Sequence, residues 1–435
     1  MMSDSESDLP QSRSAVLVVH GMVFSGGVAA LAWEVIWQLE ASLAFGISAA
    51  GTAITLAASM GGLSIGALAA GIWLRGRPVA RPLRLYGGLE ATIGAAGLAL
   101  LPGFHVLESL DAAVYAASSA LAPLLHGLGI ALLLAPATLA MGATVPVFQL
   151  VARSHGTRIS ALYGLNTAGA ATGVLLLSFW LLPYFGVRHS CLLVAALNAV
   201  VFATSWVVRP GAAPPHAAER IPEPTPGSRG VSARMPELVV LCTGFVTFGL
   251  EVAWFRAMRA AFWSTSSTFA IMLASVLIPL AIGARIVPWL GRRGVRPATM
   301  LLCAGAAILL ATPLVERLDL MSVVDGSFPV VLSLWLLLSM AMIGPAVLCL
   351  ATALPWYLEQ NPEPASTGRL YGFNTLGSVA GSLIAAWCLL PLLGFARSAW
   401  LLGLLVLLVS ALLLAPRRRW IPAAAGGVAL LIAAS

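Results

Sequence analysis

The chain has 435 residues, of which 59% are hydrophobic and 9% charged, whereas soluble globular domains carry about 25% charged residues. Mean hydropathy is +0.93, and the net charge of +7 rests on 24 arginines, because lysine is absent. A soluble enzyme, a disordered protein and a disulfide scaffold are excluded; a transmembrane β-barrel is disfavoured, since the apolar runs are long and do not alternate.

A spanning helix needs about 20 apolar residues. That rule predicts an all-α polytopic bundle, with spans at 16–38, 47–74, 83–104, 124–151, 160–183 and 189–208, then at 237–258, 267–290, 297–315, 329–358, 370–392 and 397–415. Residues 1–15 are acidic and serine-rich, unlike a signal peptide, and read as a cytoplasmic tail. Residues 209–236 are rich in Pro, Ala and Gly and read as a flexible cytoplasmic linker between two six-helix repeats, 16–208 and 237–415. Segment 416–435 starts with Arg417 to Arg419 and continues into an apolar stretch, either a partial thirteenth span or a surface helix.

Most arginines cluster in short segments between apolar runs. This is a signature of membrane topology and not of nucleic-acid binding. With the N-terminus in the cytoplasm, only Arg188, Arg256, Arg259, Arg317 and Arg397 fall outside, while the outer loops carry Glu108, Asp111, Glu316, Asp319 and Asp325. The positive-inside rule therefore predicts a multi-pass inner-membrane protein with a cytoplasmic N-terminus.

The halves repeat. YGLNTAGAATG, beginning at Tyr163, matches YGFNTLGSVAG, beginning at Tyr371, with Asn166/Asn374, Thr167/Thr375, Gly169/Gly377 and Gly173/Gly381 all 208 residues apart. Pro183 and Gly186 continue the match to Pro391 and Gly394. PATLAMGATVP from Pro136 matches PAVLCLATALP from Pro345, and Trp33-Glu34-Val35-Ile36-Trp37 matches Leu250-Glu251-Val252-Ala253-Trp254. Co-aligned Asn, Pro, Gly, Glu and Trp defeat the explanation that two apolar helices look alike by chance. Six spans per half is even, so both halves point the same way, as in the major-facilitator architecture, which has a cavity between its halves.

Charged groups at membrane depth are costly and mark function. Glu34 and Glu251, at equivalent positions, are candidate substrate or proton sites; the alternative is a packing role with hydrogen bonds to neighbouring helix ends or to the adjacent Trp37 and Trp254. Arg256 is a candidate counter-ion for Glu251. Glu90 is a third candidate without a counterpart, its structural alternative being a pair with Arg84. Asn166 and Asn374 either line the pathway or serve close packing beside their GxxxG glycines, as Gly62–Gly66 does in the second span. Pro136, Pro146, Pro345 and Pro355 are candidate kinks. His20, His126 and His189 stand singly, and the five cysteines form no CxxC pair, so no metal or cofactor is expected. Walker A and hydrolase signatures are absent, and no catalytic residue is assigned.

At E-V-x-W and Y-G-x-N-T-x-G-x-x-x-G the chain resembles the membrane portion of fused major facilitator/spermidine synthase proteins. Ser25-Gly26 through Glu34, Trp37 and Phe45-Gly46 fit that family's opening helix, and Tyr86 and Glu90 fit its third. The family's Trp-x-Arg survives as Trp254-Phe255-Arg256 but not in the first half, where Trp37-Gln38-Leu39 stands. The soluble aminopropyltransferase domain has no counterpart in these residues, so enzymatic activity is not expected of them. The resemblance implies transport of a small metabolite such as a polyamine, with Glu34, Glu251, Arg256, Glu90, Trp37, Trp254, Asn166 and Asn374 as the binding set. Its alternative implication is a non-transporting membrane partner of a separate soluble synthase.

Overall fold

A backbone in hydrocarbon must satisfy its own donors and acceptors, which leaves the helix as the form open to apolar runs of this length. The computed structural model describes residues 8–45, 49–117, 122–208, 234–262, 266–321 and 326–414. Most of the linker, the tail beyond 414 and residues 1–7 lie outside the described residues. Within them every regular element is helical. The first repeat contributes α1 (Asp8–Phe45), α2 (Ala49–Trp73), α3 (Pro82–Ala117), α4 (Ala122–Ser154), α5 (Ile159–Leu176) and α6 (Leu182–Val207). The second contributes α7 (Met235–Phe262), α8 (Ser266–Arg292), α9 (Pro297–Glu316), a short α10 (Leu318–Met321), α11 (Phe328–Leu350), α12 (Ala353–Gln360), α13 (Pro364–Ile384) and α14 (Leu390–Leu414).

Among the described residues ten helical stretches are long and apolar enough to cross a membrane. The difference from the twelve expected spans lies in two stretches, of 49 and 51 residues, each joining two of them. Both joints are built alike. At Leu177–Leu181 and Ala385–Leu389 the helix widens into a π turn, with Leu182 N–H donating to the Leu177 carbonyl and Leu390 N–H to that of Ala385. Pro183 and Pro391 follow directly. A proline ring clashes with the carbonyl four residues back, and a wider turn relieves the clash.

Three residues later the chain breaks at Gly186 (φ 68°, ψ 176°) and Gly394 (φ 74°, ψ −175°). Ser190 and Ser398 then close the restarted helices by donating to the Gly186 and Gly394 carbonyls at 2.7 and 2.5 Å. The two glycines sit in a backbone region essentially closed to other residues, which costs a side chain on the order of 1–3 kcal/mol. Space is not the issue, since a Cβ at either position would meet nothing within 4 Å. Alanine at either glycine is expected to lower the melting temperature of the purified protein. An unchanged melting curve would mean the joint has no conformational requirement.

Contacts gather the chain into two units, Met1–Pro224 with Leu358–Gly372, and Thr225–Tyr357 with Phe373–Ser435. In the first, α1 packs on α5, α2 on α4, and α3 on both α4 and α6. Residues 358–372 join this unit through several contacts. Ser64 Oγ donates to the Gly372 carbonyl at 2.9 Å. The Glu359 carboxylate accepts from the Ser160 N–H at 3.0 Å, at the start of α5. Tyr163 and Tyr371 meet edge to face at 6.5 Å. In the second unit α8 packs on α11, and α14 on α7 and α9.

Each unit contains the same close helix pair. A Cβ at Gly169 or Gly173 would collide with the Phe24 or Val28 carbonyl, and one at Gly27 with that of Asn166. At Gly377, Gly381 and Gly244 the colliding carbonyls belong to Leu241, Phe245 and Asn374. Each of these three approaches in the first pair has its equivalent in the second. The prolines do not act alike. α4 runs unbroken through Pro136 and Pro146, so neither interrupts it. Its counterpart is interrupted at Ala351 and Thr352, between α11 and α12, which places the Pro355 ring just beyond the break.

Candidate functional site

The E-V-x-W segments lie in α1 and α7, where they present the same pattern. Trp33, Ile36 and Trp37 are buried, as are Leu250, Ala253 and Trp254. Glu34 and Glu251 remain half-buried at the edge of that packing. One turn beyond Glu34, Trp37 is 1% exposed, and its Nε1 has no hydrogen-bond partner among the described residues. The Glu34–Trp37 bond, one form of the packing alternative, is therefore not formed. No other partner of Glu34 appears among the described residues. Arg256 does not serve as the counter-ion of Glu251. It is exposed and joins no ion pair among the described residues, because five residues of helix turn it about 140° from the carboxylate.

Glu90 sits in a different setting, 2% exposed. Asn198 of α6 donates its Nδ2–H to Glu90 Oε2 at 2.7 Å. Trp33 of α1 donates Nε1–H to Asn198 Oδ1 at 3.0 Å. The Tyr86 hydroxyl, one turn before Glu90 on α3, reaches the same carboxylate and lies 3.4 Å from the Met22 carbonyl. Glycines make the convergence of three helices feasible. A Cβ at Gly26 would collide with Tyr86 and Glu90, at Gly97 with the Trp33 ring, and at Gly94 would lie 2.9 Å from the Cβ of Asn198. Phe148 of α4 closes the fourth side, its ring 5.5 Å from that of Tyr86.

The expected Arg84–Glu90 pair is absent. Six residues place the two on different faces, and the Arg84 guanidinium lies 4.2 Å from the Trp206 ring instead. Asn198 was not singled out from sequence. It lies 108 residues from Glu90 and has no polar equivalent in the second repeat. There the matching positions are apolar or small, with Thr243, Val246, Leu301 and Val406 lining one spot and Gly305 where the carboxylate would be.

The paired asparagines part company as well. Asn374 donates Nδ2–H to the Val240 carbonyl at 2.8 Å, tying α13 to α7, which is the packing role. Asn166 is half-buried and shows no such bond among the described residues. His20 pairs with Thr157 at 3.1 Å, and His189 with the Phe185 carbonyl at 3.1 Å. His126 lies where side chains are not described. Among the described residues no group of three or more His, Cys, Asp or Glu converges. The chain thus offers carboxylates at membrane depth, the chemistry that holds an amine or a proton, and beside Glu34 an indole N–H that can only donate.

No protein-family model matches the sequence, and no curated protein matches it. In structure the chain is similar to a variant of the E. coli fucose:proton symporter, with a TM-score of 0.53 at 14% identity over 90% of this chain and 97% of that one. It is also similar to a bacterial homologue of the iron transporter ferroportin in an outward-facing state, with a TM-score of 0.54 at 15% identity, covering 91% and 97%. The fold is that of the major facilitator transporters.

Proposed function

We propose that this chain is a secondary transporter of the bacterial inner membrane, N-terminus in the cytoplasm, that moves a small cationic metabolite by alternating access between its two repeats. A polyamine is the first candidate substrate. The observation that carries this reading is the half-buried Glu34, without a counter-charge among the described residues. Glu251 stands at the equivalent position of the second repeat. A carboxylate held this way in a bilayer is stabilised by a cation or a proton that enters from water. The fold supports transport as the activity, and the arginine distribution supports the orientation.

Uptake of putrescine and spermidine into proteoliposomes tests the proposal, with Glu34→Gln and Glu251→Gln beside the parent protein. Each substitution is expected to lower uptake by about 10-fold or more, the loss of a charge-assisted contact of on the order of 1.5–3 kcal/mol. Undiminished uptake would make both carboxylates structural, and a parent protein that moves neither amine would remove the substrate class. A soluble aminopropyltransferase as cytoplasmic partner is supported by the shared motifs, and its co-purification with this chain is the direct check.

A further inference from the structure

The repeat extends to a pair of residues at the ends of α2 and α8. Trp73-Leu74-Arg75-Gly76-Arg77 in one and Trp289-Leu290-Gly291-Arg292-Arg293 in the other set a tryptophan four residues before an arginine. In both, the guanidinium lies over the indole, 5.2 Å from the ring centroid for Arg77 and 4.5 Å for Arg293. The first unit adds Arg84 over Trp206 at 4.2 Å. These rings are not covered by protein, with Trp73 48%, Trp289 45% and Trp206 54% exposed. Arg77 and Arg293 are exposed too, and among the described residues neither they nor Arg84 join an ion pair.

A guanidinium held over a ring is attracted to its face and still has N–H donors to offer, and these match the oxygens of a phosphate. The position adds a second requirement. Each pair ends an apolar span, and the exposed flank of α2 leads from Trp73 along Ile72 and Ile65, 65% and 60% exposed. A free phosphate would satisfy the arginines but leave ring and flank unused. A phospholipid uses all three, the headgroup on the arginines, the glycerol region at the indole and an acyl chain along the flank.

We propose that the Trp-x-x-x-Arg pairs are two equivalent sites, one in each unit, for an anionic phospholipid. Native mass spectrometry of the full chain, with equimolar phosphatidylglycerol and phosphatidylcholine added, reads the preference directly. Each arginine near an anionic headgroup contributes a factor of about five. The parent protein is expected to retain phosphatidylglycerol preferentially. Arg77→Gln is expected to cut that preference about five-fold at one site, Arg293→Gln similarly at the other, and the two together to abolish it. Equal retention of the two lipids by the parent protein, or undiminished preference in the double variant, would overturn the proposal. So would displacement of phosphatidylglycerol by inorganic phosphate at comparable concentration, which would make the arginines a site for a free anion.

Discussion

Leucine at Gly173 or at Gly381 is expected to remove the folded protein from the membrane fraction, while alanine at Gly21 or Gly88 leaves it in place. All four are helical glycines, and propensity alone treats them alike, with alanine favoured by about 0.5–1 kcal/mol. What separates them is the neighbour. At Gly21 and Gly88 a Cβ would meet nothing within 4 Å, whereas at Gly173 and Gly381 it would run into the carbonyls of Val28 and Phe245. Backbone cannot rotate aside as a flexible side chain can, so leucine must drive α5 from α1, or α13 from α7. Overpacking in soluble cores costs about 1–3 kcal/mol. The cost here is expected at or above the top of that range, because close packing is itself what holds helices together in lipid. Size-exclusion profiles of fluorescently tagged variants, with melting curves for those that survive, check the contrast. A monodisperse Gly173→Leu peak at parental intensity would show that the helices separate without consequence.

That pair of interfaces was legible in the sequence, and its legibility has a physical cause. Asn, Gly and Thr are uncommon enough within apolar helices that their coincidence at one offset carries information, and GxxxG spacing translates directly into backbone approach. Spans were legible because bilayer thickness sets the length of an apolar run. The repeat also displayed Pro183/Gly186 beside Pro391/Gly394. What it did not reveal is that this match marks a π turn followed by a break between two helices, since backbone angles leave no trace in hydropathy. Closeness in sequence points from Glu251 to Arg256, and the helical turn overrides closeness. The Glu90 network was hidden for another reason. Its members come from α1, α3 and α6, and a side chain's partner on a distant helix is set by tertiary packing, to which periodicity within one helix is blind. The asymmetry between the repeats was the available signal. A carboxylate at Glu90 faces Gly305 in the alignment, and Asn198 faces Val406, so polar groups lost together from one half point to a shared site in the other.

Substitutions at that site are expected to divide sharply by shape and charge. Trp33 Nε1 can only donate, so the bond it makes holds the Asn198 amide with its oxygen toward the indole and its nitrogen toward Glu90. Glu90→Gln keeps an acceptor for Asn198 Nδ2 and can turn its new amide toward the Tyr86 oxygen. It is expected to cost less than about 1 kcal/mol of stability, near the net value of one hydrogen bond. Glu90→Ala leaves the buried Asn198 donor without its acceptor and the Tyr86 hydroxyl with only the Met22 carbonyl at 3.4 Å, and Asn198→Ala strands both Trp33 and Glu90. At about 1–3 kcal/mol for each orphaned group, either alanine is expected to cost about 3 kcal/mol or more. Because they break one network, the double alanine variant should cost less than the sum of the two. Thermal melting of the purified variants gives the ranking, and strict additivity would show that Glu90 and Asn198 do not act together. The same variants separate architecture from transport. A Glu90→Gln protein that melts like its parent and still moves substrate assigns this carboxylate to holding α1, α3 and α6 in register, whereas one that melts normally and moves nothing assigns its charge to the transport cycle.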